Sequence, residues 1–457
     1  MKRKAYAELL KWKNERKGEV ALLIEGARRI GKSYIVEEFA KNEYESYILI
    51  DFNSVNPSVK EFFDIYLDDI DALLTNIQYY CGKRLSPRTN KGEEGKSLII
   101  FDEVQFCPRA RSAIKYLVAD GRFDYIETGS LVSIKKNVKG ILLPSEERRI
   151  EMYPMDFEEF LWATGEEMLM DLIRSNFENI KPLGSLFHRK AMDLFRQYLI
   201  VGGMPQAVSK WVETKDLVEV DNVKRDILTI YRNDIKNYAD NQESRVSQIF
   251  EELPGQLQKH EKRFTLSSIG RNARMREYSD AFFWLSDAKI INCCYNSTAP
   301  NVGLRLNEDR STVKCYMGDT GLLVSMAFDE ASLSDGSLYK KLLFGKLEIN
   351  EGMLTENIVA QMLHASKHDL FFYSKASEED ASERMEIDFL VTKSKVTSRH
   401  NIRPIEVKSG KGFTTTSLKK CVAKFGPYVS DPVVLYDGDV KREDEFLYLP
   451  LYMAGLL

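Results

Sequence analysis

Ala21-Leu22-Leu23-Ile24-Glu25-Gly26-Ala27-Arg28-Arg29-Ile30-Gly31-Lys32-Ser33 is the stretch that decides how the rest of this chain is read. Its apolar run predicts a buried strand, the two glycines bound a loop, and a helix is expected onward through Tyr34 to Ala40. The loop fits the phosphate-binding spacing G-x-x-x-x-G-K-[ST]. Glycines let the backbone curl so that successive N–H groups face one anion, and the helix N-terminus adds its positive end. ATP is therefore expected along Gly26, Ala27, Arg28, Arg29, Ile30, Gly31, Lys32, Ser33 and Tyr34. In that role Lys32 reaches the β- and γ-phosphates, and the Ser33 hydroxyl holds Mg²⁺.

Working outward, Tyr47 to Phe52 predicts a second buried strand, and Ser58 to Tyr80 a helical stretch. Gly82 to Lys96, with Lys83, Arg84, Arg88, Lys91, Glu93 and Glu94, reads as a solvated, mobile loop. Ser97-Leu98-Ile99-Ile100-Phe101-Asp102-Glu103 then has the Walker B form, four apolar residues closed by two acids. Asp102 is expected to hold Mg²⁺ opposite Ser33, and Glu103 to orient or deprotonate the attacking water. A helix near Arg109–Ala119 leads to the strand Phe123-Asp124-Tyr125-Ile126-Glu127, whose polar end offers Thr128 or Ser130 as a sensor of the γ-phosphate. An ordinary polar turn fits those two residues equally well. The run Glu146 to Phe160 predicts a fifth strand and a capped helix; Arg148 or Arg149 would approach nucleotide in cis or from a second copy, or simply form a solvated charge cluster.

Composition sets the outer bounds. The 457 residues are 44% hydrophobic and 29% charged, as in a soluble globular protein, with length for about two to four domains. Net charge is −4, from 65 basic against 69 acidic residues, so a polyanion must meet a local basic patch rather than the whole surface. No apolar run is long enough for a bilayer, and Met1-Lys2-Arg3-Lys4 leads into no signal-peptide core, so a cytoplasmic protein without a membrane partner is expected. The cysteines, Cys81, Cys107, Cys293, Cys294, Cys315 and Cys421, lack C-x-x-C spacing and read as free thiols.

The middle of the chain is helical. A pattern from Gly165 to Lys210 is broken at Gly202-Gly203-Met204-Pro205, and Leu217 to Tyr238 predicts another helix. Gln248 to Tyr295 reads as a winged helix-turn-helix: a helix over Arg245–Lys259, a short one over Phe264–Ile269, a third over Glu277–Ser286, and a wing strand over Lys289–Tyr295. Lys259, Lys262, Arg263, Arg271, Arg274 and Arg276 outnumber Glu261 and Glu277 there, a composition suited to DNA phosphates, although winged helices also serve as packing modules.

Farther on, the helical run Gly352–Leu363 carries Glu356, the strand Met385–Val391 carries Asp388, and the strand Ile402–Lys408 carries Glu406 and Lys408. This is the order of residues in PD-(D/E)XK nucleases. Carboxylates on adjacent strands hold Mg²⁺ against a phosphodiester, and the lysine stabilises or activates water. About two E-x-K triplets arise by accident in a chain this long; Glu213-Thr214-Lys215 is one, in a polar linker. Glu406 and Lys408 stand out because they lie on an apolar strand beside another that bears Asp388.

Gly26 to Ser33, Asp102-Glu103-Val104-Gln105, Thr128-Gly129-Ser130 and Tyr153-Pro154-Met155-Asp156-Phe157-Glu158-Glu159-Phe160 together resemble a family of bacterial and archaeal AAA+-type ATPases. Its members carry a C-terminal domain of unknown function with a restriction-endonuclease-like fold. The resemblance covers nearly the whole chain, extending to the turn at Gly202–Pro205 and to Lys314-Cys315-Tyr316-Met317-Gly318-Asp319-Thr320-Gly321-Leu322, whose role the residues do not reveal. It implies that Arg28 belongs to the nucleotide loop and that Arg149 is the arginine of a Gly-Arg pair, although Arg148 stands where the family has glycine.

The expected architecture is thus an α/β multidomain protein. An AAA+-like P-loop ATPase domain with a parallel sheet (1–164) precedes a helical lid (165–218), a winged helix-turn-helix domain (219–305) and a nuclease-like α/β domain (306–457). ATP and Mg²⁺ are the expected ligands. The nucleotide site takes Lys32 and Glu103 as catalytic residues, Ser33 and Asp102 for the metal, and Thr128, Ser130 and Arg149 around the nucleotide. The second site takes Asp388, Glu406 and Lys408 for cleavage, with Glu356, Asp388 and Glu406 around metal. Two functions fit. One is an ATP-regulated enzyme acting on DNA; the other is a nucleotide-controlled signalling or scaffold protein whose nuclease-like domain only binds. A homo-oligomer is required only where an arginine acts in trans.

Overall fold

The computed structural model describes residues 1–90, 92–130, 144–239, 241–259, 263–271, 273–301, 303–328, 351–375, 384–393, 401–410 and 412–457. Lys91, Glu261, Lys262 and residues 329–350 lie outside these residues. Two compact units divide the chain at Tyr153/Pro154.

The first unit is built on β1 (Ala21–Glu25), β2 (Ser46–Asp51), β3 (Ser97–Asp102), β4 (Asp124–Gly129) and β5 (Glu147–Glu151). All pairings are parallel, in the order β2-β3-β4-β1-β5. Strands covered on both faces must be apolar throughout, and every residue of β1 and β3 is indeed buried. Helix α1 (Lys4–Arg16) precedes the sheet, and α2 (Lys32–Glu43), α3 (Pro57–Ile65), α4 (Ile70–Cys81) and α5 (Pro108–Asp120) connect its strands. The single helical stretch expected over Ser58–Tyr80 is two helices, because Asp69 caps a new start by accepting from the Ala72 amide at 3.0 Å. Phe52, Phe63, Phe101 and Tyr125 fill one face of the sheet.

The loop after α4 differs from its expected solvated character. Leu85 is buried, and the Arg88 guanidinium is buried against Asp124 at 2.5 Å while donating to the carbonyls of Glu93 and Gly121 at 2.8 Å each. A polar stretch is thereby tied to the start of β4.

The second unit begins with α6 (Phe157–Ala163), whose N-terminus has a capping box between Asp156 and Glu159. The helices α7 (Glu167–Asn179), α8 (Ser185–Val201), α9 (Pro205–Thr214), α10 (Leu217–Tyr238), α11 (Glu243–Gln258) and α12 (Met275–Asp287) follow. Phe157 and Phe160, within the first domain as expected up to 164, pack against Phe195 and Tyr198 of α8, and the division into compact units falls before them. An eight-stranded mixed sheet completes the unit in the order β12-β13-β11-β10-β9-β8-β6-β7. Its strands are β6 (Ile291–Ser297), β7 (Glu308–Met317), β8 (Phe371–Lys375), β9 (Met385–Thr392), β10 (Ile402–Val407), β11 (Val433–Tyr436), β12 (Lys441–Glu443) and β13 (Phe446–Pro450). Helices α13 (Thr320–Ala327), α14 (Glu351–Ala365) and α15 (Thr416–Phe425) lie between them in sequence.

The boundary expected at 305/306 has no counterpart in this sheet. The strand read as a wing is β6, antiparallel to β7 and parallel to β8. The expected second helix of the helix-turn-helix is one 3₁₀ turn, Leu266–Ser268. The turn at Gly202-Gly203 and the segment Gly318–Gly321 interlock. The Gly203 amide donates to Asp319 at 2.6 Å, and a Cβ on Gly321 would lie 2.4 Å from the Val201 carbonyl oxygen. Asp319 also caps α13 through the Leu322 amide.

Candidate functional site

The P-loop leaves β1 at Gly26, where the chain runs so close to the end of β5 that a Cβ would lie 2.4 Å from the Met152 carbonyl oxygen. Arg29 has φ 67° and Gly31 φ 88°, the curl that turns the loop into α2. The loop is braced from both sides. The buried Lys32 ammonium donates to the carbonyls of Gly26 at 3.0 Å and Ala27 at 2.9 Å. Arg3, also buried, donates to the Ile30 carbonyl at 2.8 Å and the Tyr153 carbonyl at 2.7 Å. Burial pulls Lys32 down to about 8, against the opposing pull of Glu103 and Asp102. Tyr34 is exposed on the first turn of α2.

The Walker B residues meet this loop. Ser33 Oγ donates to Asp102 Oδ1 at 2.8 Å across a sequence separation of 69, and Thr128 Oγ1 donates to the same oxygen. Burial raises the Asp102 carboxyl above its ordinary range, the two hydroxyl donors opposing it. Glu103 follows β3 with φ 52°, a left-handed conformation that costs a non-glycine residue on the order of 1–3 kcal/mol. Gln105 Nε2 donates to Glu103 Oε2, Ser130 Oγ lies 3.5 Å from that oxygen, and the Glu103 amide donates to Thr128 Oγ1 at 3.3 Å. Sheet order explains the convergence, since β4 with Thr128 lies between β1 and β3. Lys32, Ser33, Asp102, Glu103, Thr128 and Ser130 therefore form one cluster.

Arg148 and Arg149 are not drawn to that cluster. Arg149 ion-pairs with Glu147 at 2.9 Å and Glu25 at 3.4 Å, while Arg148 stands 4.0 Å from Glu15. Sequence reasoning missed Arg3 and Gln105. Arg3 carried no signal, whereas Gln105 stood inside the quoted Asp102–Gln105 motif.

In the second unit Glu356 lies on α14, Asp388 on β9 and Glu406 near the end of β10, followed by Lys408. Lys408 pairs with Glu406 at 2.9 Å, and burial raises the Glu406 carboxyl despite that partner. Asp388 Oδ2 accepts from the Val407 amide at 2.8 Å. A residue not anticipated, Lys314 on β7, extends a buried ammonium to Glu386 at 3.0 Å, Glu356 at 3.3 Å and Asp388 at 4.0 Å. Burial alone would lower its pKa, but Glu356, Asp388 and Glu386 outweigh it and raise it. Among the described residues no three histidine, cysteine or carboxylate side chains gather into a group able to hold a metal ion.

Of the basic cluster near the expected wing, Lys259, Arg271, Arg274 and Arg276 are exposed. The cysteines are free, and among the described residues no helix is long and apolar enough to cross a membrane.

Residues 19–161 match the AAA domain family. Together with the loop, the Walker B carboxylates and the strand order, that match makes the first unit a P-loop ATPase domain of the AAA type. Residues 192–333 match a domain of unknown function, DUF8612, and residues 351–453 another, DUF4143. No curated protein matches the chain. Among solved structures, the Walker-type ATPase PABY2304 of Pyrococcus abyssi is 14% identical with a TM-score of 0.39, over 72% of this chain and 96% of that one. The Thermotoga maritima RuvB Holliday junction branch migration motor is 13% identical with a TM-score of 0.28, over 69% and 92%. The signal transduction ATPase PH0952 of Pyrococcus horikoshii, with its tetratricopeptide repeat sensor, is 12% identical with a TM-score of 0.27, over 80% and 48%. At such scores these likenesses add nothing to the domain match.

Proposed function

We propose that the first unit binds and hydrolyses ATP between Gly26 and Tyr34, and that this turnover regulates a second, nuclease-like unit that acts on DNA. The observation that carries the ATPase reading is the 2.8 Å contact between Ser33 and Asp102, with Glu103 turned by its positive φ beside Thr128 and Ser130. A hydroxyl and a carboxylate in contact fit Mg²⁺, and Ser33 and Asp102 would hold it. The ion supplies neutralisation of phosphate charge when bound. Loop amides and Lys32 bind the phosphates, and Glu103, held by Gln105, orients the attacking water and accepts its proton. Thr128 and Ser130 report the γ-phosphate to β4. Arg149, on the strand beside β1 and paired with Glu25, is the arginine of β5 that would approach the nucleotide. Calorimetry and a phosphate-release assay test the reading. Lys32→Ala abolishes Mg·ATP binding, while Glu103→Gln keeps binding and loses about 100-fold or more in turnover. Normal hydrolysis by Glu103→Gln refutes the assignment of the base.

For the second unit, the succession α14-β8-β9-β10-α15-β11 supports the nuclease-like reading. β8, β9 and β10 are antiparallel neighbours, and β11 returns parallel to β10 after α15. The exposed Lys259, Arg271, Arg274 and Arg276 suit a phosphate backbone. Replacing the last three by alanine should weaken duplex binding and flatten its salt dependence; unchanged binding removes DNA as the partner of that surface.

A further inference from the structure

Lys314 lies among carboxylates that include two, Glu356 and Asp388, that a nuclease-like site would present to a metal; the third, Glu406, pairs with Lys408 instead. Its ammonium is almost wholly buried and lies 3.0 Å from Glu386, 3.3 Å from Glu356 and 4.0 Å from Asp388, with the Phe372 ring 4.9 Å away. The carboxylate oxygens are engaged in detail. Glu356 Oε1 receives both the Lys314 ammonium and the Tyr316 hydroxyl. Asp388 presents Oδ1 toward Lys314 while its Oδ2 accepts from the Val407 amide. Mg²⁺ demands oxygens at about 2.1 Å in near-octahedral array. An ammonium donating to Glu356 Oε1 at 3.3 Å and facing Asp388 Oδ1 at 4.0 Å takes the place such an ion needs. The lysine reaches this position because β7 pairs with β6 at one edge of the sheet, and Tyr316, two residues along on the same strand face, donates to the same glutamate.

We infer that Lys314 is the resident cation of this acidic cluster, standing in for a divalent metal, so that the second unit keeps its acidic site filled and binds without metal-dependent cleavage. This rests on the nuclease-like reading of the sheet and sharpens it: Asp388, which that reading gives both to cleavage and to the metal, and Glu356 beside it face an ammonium of their own chain instead. The Tyr316 hydroxyl donates to Glu356 and the Val407 amide to Asp388 at 2.8 Å, beside the ammonium.

The test uses the full chain, without nucleotide, titrated with Mn²⁺ in a calorimeter. Wild type and Asp388→Asn should give the same heats, with no Mn²⁺ binding that depends on Asp388. Lys314→Met, of similar length and without charge, should gain a Mn²⁺ site at least about tenfold tighter than anything in wild type, and Lys314→Met/Asp388→Asn should lose it. Mn²⁺ binding by wild type that disappears in Asp388→Asn overturns the inference, as does a folded Lys314→Met that gains no site. Should Lys314→Met fail to fold, the comparison of wild type with Asp388→Asn decides alone. Gel shifts with duplex DNA on the same samples fail separately: loss of DNA binding by wild type would remove the proposed partner and leave the metal result standing.

Discussion

Gly26→Ala is the sharpest perturbation of the nucleotide loop. The added Cβ would sit 2.4 Å from the Met152 carbonyl oxygen and 2.4 Å from Ile30 Cδ1, whereas ordinary contact begins at 3.4 Å. Ile30 is buried but has a rotatable end, whereas the Met152 carbonyl belongs to backbone fixed by the Met152 amide donating to the Glu25 carbonyl at 2.8 Å. The loop must therefore retreat by about 1 Å, the difference between the two separations. Overpacking of this kind costs about 1–3 kcal/mol of stability. A 1 Å misplacement of a positioning element costs on the order of 100-fold in turnover. Urea melts and phosphate release on the same preparation read both quantities. Gly255→Ala on α11 provides the contrast: nothing lies within 4 Å of its Cβ, and alanine in a helix interior should stabilise by about 0.5–1 kcal/mol. If Gly26→Ala melts and hydrolyses ATP like wild type, the close approach of loop and β5 is not what positions the phosphates.

Three further outcomes follow from buried charges. Arg88→Met strands Asp124 without its guanidinium and should cost about 3–5 kcal/mol in a urea melt; a loss below 1 kcal/mol, as for a surface pair, would contradict the buried geometry. Arg3→Ala removes donors from the Ile30 and Tyr153 carbonyls, so stability should fall by about 1–3 kcal/mol and calorimetric nucleotide affinity should weaken with it; unchanged affinity would show that α1 does not brace the loop. Lys224, buried on α10 and donating to the Ile200 carbonyl at 2.9 Å, is pulled down to about 8 by burial, with Asp221 and Asp319 opposing. Below pH 8 it is protonated in both folded and unfolded chains and its burial penalty is fully present. Between about 8 and the ordinary lysine value the unfolded chain binds the extra proton, so stability rises with pH in that window. Measured against Lys224→Met, wild type should gain up to about 1.4 kcal/mol per pH unit there; a difference that does not move with pH would place the ammonium in water.

What could be read in advance shares one property: the residues that make it are adjacent in sequence. The apolar runs of β1 and β3, the glycine spacing of the loop, and the acids after Phe101 each announce themselves within a dozen residues, and the first unit assembled from them nearly as expected. Strand β6 was legible as a strand, yet its alternation could not say which edge it would join, so a wing was read where the chain adds to an eight-stranded sheet. The segment Lys314–Leu322 was legible only as a pattern, because each of its polar residues acts on a distant element. Asp319 holds the Gly203 amide 116 residues away, and Thr320 donates to Gln361, while Lys314 reaches carboxylates on α14 and β9. Arg88 and Arg3 failed to stand out for the same reason, since a guanidinium among other charges looks solvated until its partner strand is in place. The C-terminal acids Glu356 and Asp388 were legible from the helix and strand that carry them, whereas the ammonium beside them comes from β7, far off in sequence. Like charges brought together out of water demand a counter-ion, and a reading of acids along the sequence cannot show that Lys314 on β7 meets Glu356 on α14 and Glu386 and Asp388 on β9.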